Sequence, residues 1–132
     1  MIKFGVEGTP ISQGSMKHIG NGRMIHSRAT ELATWRALIA LAAKQAGCQP
    51  IPDPIAISMT FRLKKPKTVK RDLPTVAPDL DKLVRGVLDA LTGCAYLDDS
   101  QVIDIKAKKV YSDITGVDIE ISDAFDCVTD IT

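Results

Sequence analysis

Residues 78–102 read PDLDKLVRGVLDALTGCAYLDDSQV. Two carboxylates one residue apart, Asp79 and Asp81, open the stretch, and two adjacent ones, Asp98 and Asp99, close it. Between them Leu80, Leu83, Val84, Val87, Leu88 and Leu91 recur at helical spacing, which predicts a helix over about 80–92 stopped at Gly93. About eleven residues of such a helix span roughly 16 Å at 1.5 Å per residue. Only GCAY separates it from Leu97 and the second acid pair, so the two pairs meet only if the chain returns alongside the helix in extended form.

Outward from this stretch the pattern changes to period two. Ile55, Ile57, Met59, Phe61 and Leu63 alternate with Ala56, Ser58, Thr60 and Arg62, which predicts a half-buried strand over 52–63. Ile103, Ile105 and Ala107 start another strand that runs to about Tyr111, and Val117, Ile119 and Ile121 make a last one after a turn near Gly116. At the amino end Ile2, Phe4 and Val6 alternate as a short strand. Residues 8–27, with four glycines and no period, read as a long loop. Leu32, Trp35, Leu38, Ile39 and Ala42 form the stripe of a helix over about 30–46, with Ser27 or Thr30 as its cap and Gly47 as its stop. The order β-α-β-α-β-β suits an α+β domain: a mixed sheet with two main helices packed on it. At 132 residues one domain, 1–132, is expected, with a weakly structured tail after about 122.

Composition narrows the functional classes. Hydrophobic residues make up 45% and charged residues 25%, an ordinary globular profile. The longest apolar run, ALIALAA at 37–43, is too short to span a bilayer, and the amino terminus lacks the basic-then-apolar design of an export signal. Three widely spaced cysteines (Cys48, Cys94, Cys127) fit reduced thiols in a cytoplasmic protein, without a disulfide framework or a zinc site. Net charge is only +1, yet its distribution is uneven. Residues 1–109 hold all 17 Lys and Arg with 10 of the 16 acids, a net of +7, and the remainder holds six acids and no base. RLKKPKTVKR at 62–71 packs six cations into ten residues, which is either a solvated loop or an electrostatic footprint for phosphates.

The acids admit a plain explanation. Aspartate caps helices and complements their dipole, and LDDSQ suits a turn. The alternative is that the carboxylates converge. Like charges that close repel unless a cation sits among them or one is protonated, and Mg2+ prefers such oxygen ligands. An EF-hand is excluded because Leu83 and Val84 occupy a ligand and the glycine position, and no phosphate loop or nucleophile elbow is present. His18 and His26 have no partner spacing and read as surface histidines.

The run Pro78-Asp79-x-Asp81-x-Leu83-x-Arg85-x-x-Leu88-Asp89-Ala90-Leu91-Thr92, followed by Leu97-Asp98-Asp99-Ser100-Gln101-Val102, resembles the RusA-type Holliday junction resolvases of bacteria and their phages. VEGTPISQGS at 6–15 resembles their first strand and the loop after it, so the likeness covers about residues 2–122. It implies a small α+β homodimer that cuts four-way DNA junctions with Mg2+, for which Mn2+ can substitute. By this resemblance Asp79, Asp81 and Asp99 are the essential acids and metal ligands, with Asp98 adjacent. Arg85 stands where many relatives have lysine; a guanidinium does not give up its proton, so it is expected to stabilise phosphate charge. Lys82 stands where asparagine is common and adds a cation.

On this reading Arg62, Lys64, Lys65, Lys67, Lys70 and Arg71 hold the DNA backbone beside the acids, with Lys17, Arg23, Arg28 and Lys82 as further contacts. Few aromatics are present, so a junction is expected to be read by shape and backbone rather than by base stacking. The exposed side of the 30–46 helix and the strand 52–63 are the expected dimer surfaces, and the acidic carboxy-terminal segment is expected away from DNA. Two rival classes remain: a DNA-structure-binding protein without catalysis, and a metal-dependent nucleotide phosphohydrolase.

Overall fold

The computed structural model describes residues 1–13 and 22–124, without the side chains of residues 22–28. The elements are β1 (Ile2–Glu7), α1 (Gly22–Gln45), β2 (Ile55–Leu63), α2 (Leu80–Leu91), β3 (Val102–Tyr111) and β4 (Gly116–Asp123), with a 3-10 turn at Asp99–Gln101. This is the expected β-α-β-α-β-β order. The sheet order is β1-β4-β2-β3, with β2 parallel to β3 and the other pairs antiparallel, so the sheet is mixed. The connection between the parallel strands β2 and β3 carries α2, since parallel neighbours cannot be joined by a hairpin.

Alternation along β2 sorts the sheet into two faces. Ile55, Ile57, Met59, Phe61 and Leu63 are buried under the helices. Register extends the same rows across the sheet: Phe4, Ile119, Met59 and Ala107 form one, and Val6, Val117, Phe61 and Lys109 the next. From α1 come Trp35, Ile39 and Ala43, and from α2 come Leu83, Val87, Ala90 and Leu91. Both helices therefore close one side, and the opposite side of the sheet carries Lys3, Ser58, Thr60, Lys106, Lys108, Asp118 and Glu120. No helix among the described residues is long and apolar enough to cross a membrane.

Several expectations shift. The first helix starts at Gly22, not near Thr30, so Ser27 and Thr30 lie inside it and not at its N-cap. An apolar stripe marks only the packed part of a helix, whereas extending a formed helix costs little, so its first turns leave no periodic trace. Leu38 falls off the buried stripe and is 40% exposed, because burial follows Leu32, Trp35, Ile39 and Ala43. Ile103 is also exposed: the β2–β3 register shifts between Ile55 and Ala56, pairing Ile55 with Val102 and Ala56 with Asp104 and leaving Ile103 out of phase. Gly116 opens β4 at φ 154°, where a Cβ would stand 2.0 Å from the Val6 carbonyl oxygen, so only glycine fits this crossing. Cys48 and Cys94 are free and buried, and burial pushes the Cys48 thiol up. Cys127 and the expected weakly structured tail beyond residue 124 lie outside the described residues, as do residues 14–21 of the expected loop.

Candidate active site

Each acid pair is placed by the unit β2–α2–β3. β2 ends at Leu63, the basic segment follows, and α2 begins at Leu80 with Asp79 as its N-cap residue. Asp79 has extended backbone (φ −70°, ψ 136°), and its carbonyl accepts the first helical bond from Leu83 N–H at 3.1 Å. Its carboxylate makes no capping hydrogen bond. Instead Asp79 Oδ2 accepts from Lys82 Nζ at 3.0 Å. The Asp79 carboxylate, followed by the nearby Asp81 charge, raises the Lys82 ammonium pKa above its ordinary value. The plain explanation of Asp79 as a cap through its side chain therefore fails. One cation is bonded to Asp79 and lies in the field of Asp81. Arg85 is exposed one turn beyond Asp81.

The second pair is built differently. α2 ends at Leu91 with Thr92 as its C-cap residue, and Tyr96 folds back so that its hydroxyl donates to the Leu88 carbonyl at 2.6 Å. Asp98 then caps the 3-10 turn: its Oδ1 accepts from Ser100 N–H at 3.3 Å. The side chain of Gln101 completes a capping box. Its Oε1 accepts from Leu97 N–H at 2.9 Å and Asp98 N–H at 2.8 Å, and its Nε2 donates to the carbonyls of Ile51 at 2.8 Å and Asp53 at 2.9 Å. Here the turn explanation holds for Asp98 and leaves Asp99 exposed. Bonds from the Ser100 amide and from Asp99 lower the Asp98 pKa, whereas the bond and charge of Asp98, with Asp89 beyond, raise that of Asp99.

All four bonds of the Gln101 amide are used, which makes it the clamp of this loop. Gln101→Ala should cost about 2–6 kcal/mol, taking 0.5–1.5 kcal/mol for each lost bond, as read by urea unfolding. An unchanged midpoint would show that water replaces the amide without loss.

The two acid pairs do not meet within one chain. α2 is 12 residues long, about 18 Å, with Asp79 and Asp81 at its start and Asp98 and Asp99 beyond its end. β3 confirms the separation. Val102, just after Asp99, begins the strand, and Lys109, which contacts the segment before Asp79, lies seven residues along it, about 23 Å at 3.3 Å per residue. Among the described residues no group of three or more His, Cys, Asp or Glu is placed to hold a metal ion. The extended return toward the start of α2 is β3 itself, and it begins only after Asp99, so it leaves the second pair at the far end of the helix.

The expected DNA contacts also sort. Lys64, Lys65, Lys67, Lys70 and Arg71 are exposed between β2 and α2, and Lys65 Nζ stands 5.9 Å from the centre of the Tyr111 ring. Arg62 is engaged within the fold: it donates to the Ile114 carbonyl at 2.7 Å and pairs with Asp118 at 3.3 Å. Lys82 is held by Asp79. Lys17 and the side chains of Arg23 and Arg28 lie outside the described residues, as does His18; the same holds for the side chain of His26. Asp118 and Glu120 of the acidic segment lie on the sheet face opposite the helices.

Sequence reasoning missed three contacts. Gln13 donates from its side chain to Asp89 and from its backbone N–H to the Lys82 carbonyl at 3.2 Å, tying the loop after β1 across α2 at Gly86. Gln101 was readable, since Asp98-x-x-Gln101 has the spacing of a capping box. Lys109 was readable too, as a cation on the apolar row of β3. The expected dimer strand, β2, has both edges paired within the sheet, and its free face is polar. The apolar surface near the acids is instead Leu97 (58% exposed), Ile103 (59%) and Ile105 (43%).

A family model described as Endodeoxyribonuclease RusA matches residues 7–122, from the end of β1 to the end of β4. A protein of Bacillus subtilis (strain 168), YqaN, described as uncharacterized, is 33% identical over 134 residues, covering 91% of this chain and 94% of its own. The crossover junction endodeoxyribonuclease rusA of Lactococcus phage r1t is 36% identical over 72 residues, 53% of this chain and 55% of its own. The match takes in both acid pairs, α2 and the capped turn at Asp98, and the chain belongs to the RusA family of endodeoxyribonucleases, hydrolases of the DNA phosphodiester bond.

Proposed function

We propose that this protein resolves four-way DNA junctions as a homodimer, with a divalent-metal site formed by Asp79 and Asp81 of one subunit and the partner's Asp99. The carrying observation is the placement of the acids at opposite ends of α2. A two-fold axis across the middle of α2 runs the helix antiparallel to its mate and sets each start against the other's end. Two such sites, related by the same axis, match the symmetry of a four-way junction and make one cut each.

The residues present fit Mg2+ or Mn2+. Asp79 is free of capping duty, and a lysine ammonium already rests on it with Asp81 nearby, so the place attracts a cation. One or two carboxylates with water and substrate phosphate are an ordinary Mg2+ shell. A metal bound there supplies an activated water and charge to offset that growing on the phosphate and leaving oxygen. Lys82 then leaves Asp79 and turns to phosphate. Arg85, exposed on the same helix, stabilises phosphate charge without exchanging a proton. The cations of 64–71 hold the backbone, and Asp98 keeps the turn that presents Asp99.

The test is cleavage of a synthetic four-way junction with Mg2+, with Mn2+ and in chelator, for the parent and Asp81→Asn. Products should form only with metal. Asp81→Asn should lose more than about 100-fold in rate, the upper end of what losing an outer partner of a metal ligand costs, with junction affinity retained. Full activity in chelator, or in Asp81→Asn, would refute the metal site. Metal-independent junction binding with no product under any condition would favour a non-catalytic binding protein.

A further inference from the structure

The row of side chains facing the helices is apolar across the sheet at Val6, Val117 and Phe61, and then ends in Lys109. Burying a lysine stem on this side and fixing its rotamers costs up to about 2 kcal/mol in side-chain entropy. Placing its charge near the start of a helix also opposes the helix dipole. A merely structural role does not call for it, since an aliphatic residue completes the row at lower cost.

What Lys109 does is specific. Its Nζ donates to the carbonyl of Val76 at 2.9 Å and to that of Pro78 at 3.0 Å. These two carbonyls belong to the last turn of chain before Asp79, and the Pro78 carbonyl carbon is bonded to the Asp79 amide. Three consecutive backbone units are therefore anchored to the sheet from beneath. The segment has little other support: Leu73 and Val76 are exposed at 64% and 49%, and the Asp79 carboxylate bonds the Lys82 ammonium but caps none of the free N–H groups of its helix. The direction of the Asp79 carboxylate depends on the backbone angles at Asp79, and these depend on where Pro78 is held.

We infer that Lys109 is the positioning residue for Asp79, holding the 76–78 segment so that the carboxylate points away from the helix start and toward a divalent cation. This rests on the reading of Asp79 as a metal ligand. Lys109 touches neither metal nor substrate, so its loss acts on metal affinity first and on DNA binding little.

The experiment compares the full-length parent, Lys109→Met, Lys109→Arg and Asp79→Asn. Mn2+ binding is followed by electron paramagnetic resonance, junction affinity is measured in chelator, and cleavage is measured against Mn2+ concentration, with thermal melting as the control for folding. Lys109→Met should weaken Mn2+ binding about tenfold or more, in the range seen when a second-shell partner is lost. Junction affinity should stay within a few-fold of the parent, and cleavage should recover in part at saturating Mn2+. Parent-like Mn2+ binding in a folded Lys109→Met protein overturns the inference, as does lost cleavage with unchanged Mn2+ binding. If Lys109→Met does not fold, Lys109→Arg is read by the same titration. Its longer side chain and planar fork would hold the two carbonyls in a different place from the ammonium, so parent-like Mn2+ binding there overturns the inference. Asp79→Asn separates the two levels. If it binds Mn2+ and cleaves as the parent does, the metal-ligand reading falls; if it is inactive while Lys109→Met is not, only the role of Lys109 falls.

Discussion

Mixing two inactive proteins, Asp81→Asn and Asp99→Asn, should restore junction cleavage that neither shows alone. In a site shared between subunits, each mutant homodimer carries one lesion in both of its sites. A heterodimer carries both lesions in one site and none in the other. Random exchange makes about half the dimers mixed, so about a quarter of the parent's sites are intact, as two-fold symmetry requires. Activity should rise about 25-fold or more over either mutant, a quarter of the parent's rate against a loss of more than about 100-fold. Its products should be single nicks, because only one of the two cuts is available per junction. If each site were assembled within one chain, every site in the mixture would keep one lesion and no activity would return. The structure favours the shared site because α2 holds Asp79 and Asp81 about 18 Å from the turn that presents Asp99, and the strand that returns along the helix begins only after that turn. Co-expression with separable tags, followed by cleavage assays on the purified heterodimer, decides between the two.

Changing Lys64, Lys65, Lys67, Lys70 and Arg71 together to glutamine should lower junction affinity roughly a hundredfold or more at moderate salt. The slope of log K against log salt should flatten by about 4 to 5, since each phosphate contact contributes about 0.9. All five side chains are exposed on a segment that starts at the end of β2 and ends at Asp79, so backbone held there lies beside the acids. Arg62 belongs to a different group. Its guanidinium is spent on Ile114 and Asp118, and Arg62→Gln should be read as a loss of stability rather than of salt dependence. Exposed substitutions away from packed features usually change stability by less than about 0.5 kcal/mol, so melting of the five-fold variant should stay near the parent. A slope equal to the parent's would show that the DNA backbone lies elsewhere.

Much of this protein was legible in its residues because burial imposes a period. Ile55 to Leu63 alternate because one face of β2 lies under helices, and Leu83, Val87 and Leu91 recur because one side of α2 lies on the sheet. Element order, the α+β class and the family motif follow from such local patterns. Where packing left no period, the reading failed: the first turns of α1 from Gly22, and Ile103 at the register shift. The roles of the acids could not be settled locally. Asp79 and Asp98 both have the identity of a cap. Only the folded chain shows that Asp98 caps its turn with Gln101 and that Asp79, turned to Lys82, does not. Likewise, two acid pairs within 21 residues suggest convergence, but distance along a chain is not distance in space. A helix and a parallel strand carry the pairs to opposite ends of one unit. Lys109 lies 30 residues beyond Asp79, and only the sheet brings it beneath Pro78. Local pattern determines which elements form, because it records which side of each is buried. Which side chains share a site is decided by how those elements pack, and no single stretch of sequence carries that information.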